Sequence, residues 1–207
     1  MDENKMPEET AEKPEKNVIA DIYSVLHDLI YILVAITVVF VFFMRIVRVD
    51  GSSMVPTLEH KDYIALQSNV IMGELEAGDI IVARKQSFRE GEPIVKRVIA
   101  TEGDTVDISY DAAGVGTVYV NGVALEEAYI NEPMSAPHYD QLSFPLTVAD
   151  NCVFVMGDNR NHSADSRYVQ IGQINRSQIL GKVLAVLLPG TGEDGEARDY
   201  GRIGAVS

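Results

Sequence analysis

The sequence predicts a mainly β protein: a single N-terminal transmembrane helix followed by a β domain. Three observations carry this. Residues 29–44, LIYILVAITVVFVFFM, contain no charge, and apolar residues at 22–26 and at Ile46 and Val47 extend the run. The total, about 20–25 residues at about 1.5 Å each, spans a hydrocarbon core of roughly 30 Å. From Val49 onward, runs such as Tyr63-Ile64-Ala65-Leu66, Asp79-Ile80-Ile81-Val82-Ala83 and Pro93-Ile94-Val95-Lys96-Arg97-Val98-Ile99-Ala100 are Val- and Ile-rich and bounded by glycines and acidic residues, the composition of strands. Asn121-Gly122, between Val118-Tyr119-Val120 and Val123-Ala124-Leu125, suits the type I′ turn of a hairpin.

Residues 1–20 are polar, rich in Glu and Lys, with Pro7 and Pro14. They cannot bury enough apolar surface to offset the entropy of ordering, and read as a disordered acidic tail. Residues 21–48 read as the anchor, with Asp28 near one interface and Arg45 and Arg48 snorkelling at the other. A buried core helix is the soluble alternative. A cleaved signal peptide fits poorly, because the leading segment is long and acidic and Arg45-Ile46-Val47-Arg48 stands where small residues belong. Lysines and arginines flank both ends, so charge alone leaves the orientation open. Residues 49–189 form the β domain. Within it, 126–148 reads as an irregular excursion, 151–156 as a buried strand feeding a polar loop, and 178–189 as a final helix or strand too short for periodicity to decide. Residues 190–207, acidic and Gly-rich, read as a flexible tail.

Composition excludes several functions. The 207 residues carry a formal charge of −14, which argues against nucleic acid as a partner because phosphate binding needs clustered Lys and Arg. A single cysteine, Cys152, rules out an intrachain disulfide. The four histidines, His27, His60, His138 and His162, lack metal-ligand spacing, so neither metal nor cofactor is expected.

Chemistry points to Ser53, in Val49-Asp50-Gly51-Ser52-Ser53-Met54-Val55-Pro56-Thr57-Leu58. A serine hydroxyl needs a base to become a nucleophile. His60 sits in the charged run Glu59-His60-Lys61-Asp62 and reads as a solvated turn. His162 lies in a polar loop among Asn and Ser. Lys96 stands in a β run, sharing a strand face with Ile94 and Val98. If that face is buried, desolvation lowers its pKa and a neutral amine becomes available near pH 7 to 8. If not, Lys96 is an ordinary edge-strand lysine and Arg97, opposite, is solvent-facing or ion-paired. Gly51 permits a sharp bend, and backbone N–H groups around Ser53 can bind an oxyanion. Met54 either fills core or touches lipid or the lysine pocket. Asp158, Arg160, Asp165 and Arg167 can form a charge network, structural more often than catalytic. Ser163 is either a turn hydroxyl or a partner for the amine.

Four motifs in order behind one anchor resemble type I signal peptidases, membrane-anchored serine proteases of the Ser-Lys dyad type. They are Gly51-Ser52-Ser53-Met54-Val55-Pro56-Thr57-Leu58; Gly78-Asp79-Ile80-Ile81-Val82; Val95-Lys96-Arg97-Val98 with Gly103-Asp104; and Gly157-Asp158-Asn159-Arg160 with Ser163-Ala164-Asp165-Ser166-Arg167. The short chain resembles the compact Gram-positive-like form. The resemblance implies an all-β catalytic domain at 49–189 with a small inserted β cap at about 105–150. It implies Ser53 as nucleophile, Lys96 as general base and an acyl-enzyme intermediate. Ser163 would orient Lys96, and Asp158, Arg160, Asp165 and Arg167 would brace the site. Some members carry a serine two residues before the nucleophile as an oxyanion donor. Gly51 stands there, leaving Ser53 and Ser52 as oxyanion candidates. The implied partners are preproteins with small residues before the cut, and membrane lipid. The implied location is the cell membrane, single-pass, with the N-terminus cytoplasmic and the catalytic domain outside. Two rivals remain: a sortase-like cysteine transpeptidase using Cys152 and Arg160, and a catalytically inert anchored binding domain.

Overall fold

The computed structural model describes residues 18–136, 141–191, 195 and 197–206. The expected disordered tail therefore lies mostly outside the described residues. The chain divides into two units, Met1–Val39 and Phe40–Ser207.

The first helix, α1 (Val18–Phe42), is 25 residues long, about 37 Å at 1.5 Å per residue. Its stretch Asp21–Phe40 is long and apolar enough to cross a membrane. Its described side chains are exposed, apolar ones on every face.

The helix ends before the stretch expected as the anchor, 21–48, does. The helix stops at Phe42, and β1 (Met44–Arg48) pairs antiparallel with β2 (Tyr63–Ser68), placing Ile46 opposite Ala65. Arg45 and Arg48 are exposed, while Val47 packs against buried residues of the sheet. Ile46 and Val47 are as good in a strand as in a span, so composition did not separate the two uses.

The second unit is antiparallel throughout. Beyond β2 run β3 (Ile80–Arg84), β4 (Pro93–Ala100), β5 (Thr105–Tyr110), β6 (Val115–Val120), β7 (Val123–Ala124), β8 (Met134–Ser135), β9 (Leu146–Thr147), β10 (Cys152–Met156), β11 (Ile174–Asn175), β12 (Ile179–Leu188) and β13 (Gly204–Ala205). The main sheet has the order β1-β2-β12-β3-β4-β10-β11, with β13 on β12. Ile81 and Ala83 enter one core with Ile94, Val98 and Val155. Ile80 and Val82 enter another with Met54, Leu58 and Ile64. Both faces are covered, which is why β3 reads as an unbroken apolar run.

Residues 105–147 supply a second sheet, ordered β7-β6-β5-β9 with β8 on β6. Val106, Ile108 and Val118 from it pack with Ile99, Phe154 and Met156 of the main sheet. Asn121 and Gly122 take φ of 52° and 80° and set Val120 opposite Val123, the type I′ geometry that Asn-Gly favours.

Within 190–207, the stretch expected as a flexible tail, described residues bond to the domain. Asp62 is fully buried and needs donors. It receives the Gly190 N–H at 2.6 Å and the Arg202 guanidinium at 2.7 Å. Arg202 also pairs with Glu59 at 2.9 Å, and β13 extends the sheet beside β12. The anchoring carboxylate stands far from the tail in sequence, so local composition gave no sign of it. Arg202→Ala is expected to destabilise the full chain by about 2–3 kcal/mol in denaturant unfolding in detergent. That is below the roughly 3–5 kcal/mol of a fully buried pair, because Asp62 keeps two backbone donors.

Candidate active site

Ser53 lies in the turn between β1 and β2. Gly51 enters it at φ 103°, a conformation glycine adopts without strain. The turn is held from the far side by Asn159, whose backbone N–H donates to the Ser53 carbonyl and whose Nδ2 donates to the Ser52 carbonyl, both at 3.1 Å. Met54 is 1% exposed and packs with Leu58 and Val49. It fills core at the edge of the cleft, which it also lines.

Lys96 stands mid-way along β4, an interior strand between β3 and β10. It is 4% exposed. Its Nζ lies 2.6 Å from Ser53 Oγ and 2.9 Å from the Val95 carbonyl. Burial is the main reason its pKa falls from 10.5 to about 8; Asp165 pulls it up and Arg89 pushes it further down. A substantial neutral fraction is therefore present near pH 8.

Each charge of the polar loop has its own ion-pair partner, and the pairs are linked through the backbone, Arg167 donating to the Arg160 carbonyl at 2.7 Å. Asp158 accepts two hydrogen bonds from Arg97, each 2.8 Å, and one from Thr57 Oγ1. Arg97, on the face of β4 opposite Lys96, is thus buried and paired. Asp165 is gripped by Arg167 at 2.8 and 2.9 Å. Burial alone would raise the Asp165 pKa, but Arg167 and the Gly157 N–H hold it below the usual carboxylate range. Arg160 pairs with Glu127 at 2.6 Å and donates to the Gly157 carbonyl at 2.9 Å. The Tyr129 ring lies 4.1 Å from the Arg97 guanidinium and 5.8 Å from that of Arg160. Burial, with Glu127 beside it, pushes the Tyr129 phenol up to about 12.

Ser163 is buried and close enough to Asp165 to favour its anion. Its contact with the nucleophile runs through Gly157. A Cβ on Gly157 would meet Ser163 Oγ at 2.3 Å and the Ser53 carbonyl at 2.4 Å. Ser53 and Lys96 are therefore brought together, and Ser163 comes against the Ser53 backbone at Gly157; among the described residues Lys96 Nζ bonds Ser53 and the Val95 carbonyl, not Ser163. The roles of Arg97, Glu127, Tyr129, Asn159 and Gly157 were not legible in their motifs. The one available signal was Arg97 beside Lys96, since an interior strand buries both faces.

The cleft at Ser53 has a volume of about 530 Å³, with Val47, Val82 and Ile94 among its apolar walls and Arg48, Asp50 and Arg89 among its charges. Cys152 opens β10 outside this cleft, with the Asn175 amide 3.8 Å from its sulfur. Among the described residues no group of three or more His, Cys, Asp or Glu could hold a metal ion.

Residues 22–188 match the family described as signal peptidase, peptidase S26. The chain belongs to the signal peptidase I family. Signal peptidase I S of Bacillus subtilis is 35% identical over 148 residues, covering 68% of this chain and 75% of that protein. Probable signal peptidase I-1 of Synechocystis is 34% identical over 166 residues, covering 77% and 75%. Signal peptidase I P of Bacillus subtilis subsp. natto is 32% identical over 167 residues, covering 76% and 86%. This signal peptidase is accordingly a hydrolase, a serine protease that processes signal peptides. Gly157→Ala must drive Ser163 and Ser53 apart. Steady-state assays of signal-peptide cleavage are expected to show kcat down about 100-fold, with a stability loss of about 1–3 kcal/mol from overpacking.

Proposed function

We propose that this signal peptidase cuts by a Ser53–Lys96 dyad through an acyl-enzyme, anchored by α1 with the catalytic domain outside the cytoplasm. The observation that carries this is the 2.6 Å approach of Lys96 Nζ to Ser53 Oγ by an amine of pKa about 8. Ser53 Oγ attacks the scissile carbonyl as neutral Lys96 takes its proton. The ammonium then protonates the leaving amine, and water attacks the ester with Lys96 again as base. The Ser53 N–H donates to no group among the described residues, which leaves it free for the oxyanion, with the Ser52 hydroxyl as the neighbouring candidate. Ser163 and the pairs built on Asp158, Arg160, Asp165 and Arg167 hold the dyad in place.

The substrates are preproteins with small residues before the cut, whose side chains would meet the apolar walls formed by Val47, Val82 and Ile94. Only β1 and a short turn separate the end of α1 from Ser53, so the reaction takes place close to the lipid surface. Nucleic acid has no place in this reading.

Cleavage of a preprotein with an Ala-x-Ala site by the full chain in detergent tests it. Ser53→Ala and Lys96→Ala are each expected to lower kcat/KM by about 10²–10⁴-fold or more. Retained cutting by a folded Lys96→Ala would remove the base from Lys96. The active form is the neutral amine, so kcat/KM rises with pH through about 8 and falls about tenfold per unit below it. A profile flat from about pH 6 to about pH 9 would contradict a lysine base.

A further inference from the structure

The Ser53 turn is held by a histidine that the dyad does not use. The His60 side chain is only 19% exposed, not the solvated group its charged neighbours imply. The Gly51 N–H donates to His60 Nδ1 at 3.1 Å. To accept this bond Nδ1 carries no proton, which puts the ring proton on Nε2. The Asp50 carboxylate lies 3.1 Å from the same Nδ1 and is 87% exposed.

The backbone fixes this meeting. Val49 N–H donates to the Asp62 carbonyl at 2.8 Å and Lys61 N–H to the Val49 carbonyl at 2.9 Å. The stretch entering the turn is thereby laid against the stretch carrying His60. Gly51 lines the cleft and has no side chain with which to anchor its own conformation.

We propose, resting on the Ser53–Lys96 reading, that His60 is a positioning residue for the nucleophile: by accepting the Gly51 N–H it holds the Gly51 peptide, and through it the Ser53 turn.

The test compares wild type, His60→Asn and His60→Gln in preprotein cleavage by the full chain in detergent, with Ser53→Ala as control. Asn places its Oδ1 where Nδ1 stands; Gln carries its amide one bond further and loses the contact. Near pH 8 the Asn variant is expected within about twofold of wild type. The Gln variant is expected to fall about tenfold in kcat with KM little changed, the size of one lost hydrogen bond. Full kcat in the Gln variant, or an Asn variant as poor as Gln, would each overturn the proposal. Cutting that survives Ser53→Ala would overturn the dyad reading instead, a separate result.

Discussion

Lys96 is a buried cation-former with no carboxylate of its own. Around it Arg97, Arg160 and Arg167 are also buried, and each has one: Asp158, Glu127 and Asp165. The Lys96 amine is left a hydroxyl and a carbonyl. Its desolvation is therefore opposed only by carboxylates already neutralised by arginine, and burial wins. The pairs matter to the lysine by removing its alternatives. Were Arg167 absent, Asp165 would face Lys96 with an uncompensated charge and favour the ammonium.

Buried pairs of this kind add little net stability, since loss of hydration offsets most of their attraction. What they fix is position. Arg97 ties β4 to the polar loop through Asp158. Asp165 takes the Gly157 N–H, and Arg160 takes the Gly157 carbonyl. Gly157 is thus held at both its peptide groups while its missing side chain makes room for Ser53 and Ser163. Glu127 extends this bracing into residues 105–147, whose sheet shares a core with β4 and β10.

The β character and the Asn-Gly hairpin were readable because each rests on local pattern, strand composition and turn chemistry; Lys96 as the partner of Ser53 was expected only from the resemblance that an ordered set of motifs carries. The end of α1 was not, since Ile46 and Val47 suit lipid and strand alike. Nor was the docking of the C-terminal segment, which depends on Asp62, far away in sequence. His60 looked solvated because its neighbours are charged, yet the backbone pairing of Val49 with Lys61 and Asp62 turns it inward. Arg97 stood between two readings until the sheet order made β4 an interior strand. In each case the missing information was a long-range contact.

The central claim is that Lys96 is a weakly basic amine in the folded protein, and direct titration tests it. In lysine labelled with ¹³C and ¹⁵N, the side-chain resonance that disappears in Lys96→Arg would be followed with pH in the full chain in detergent. Titration at about 8 is the result this account predicts. Titration with the surface lysines, at about 10.4, would contradict it and leave Ser53 without its base.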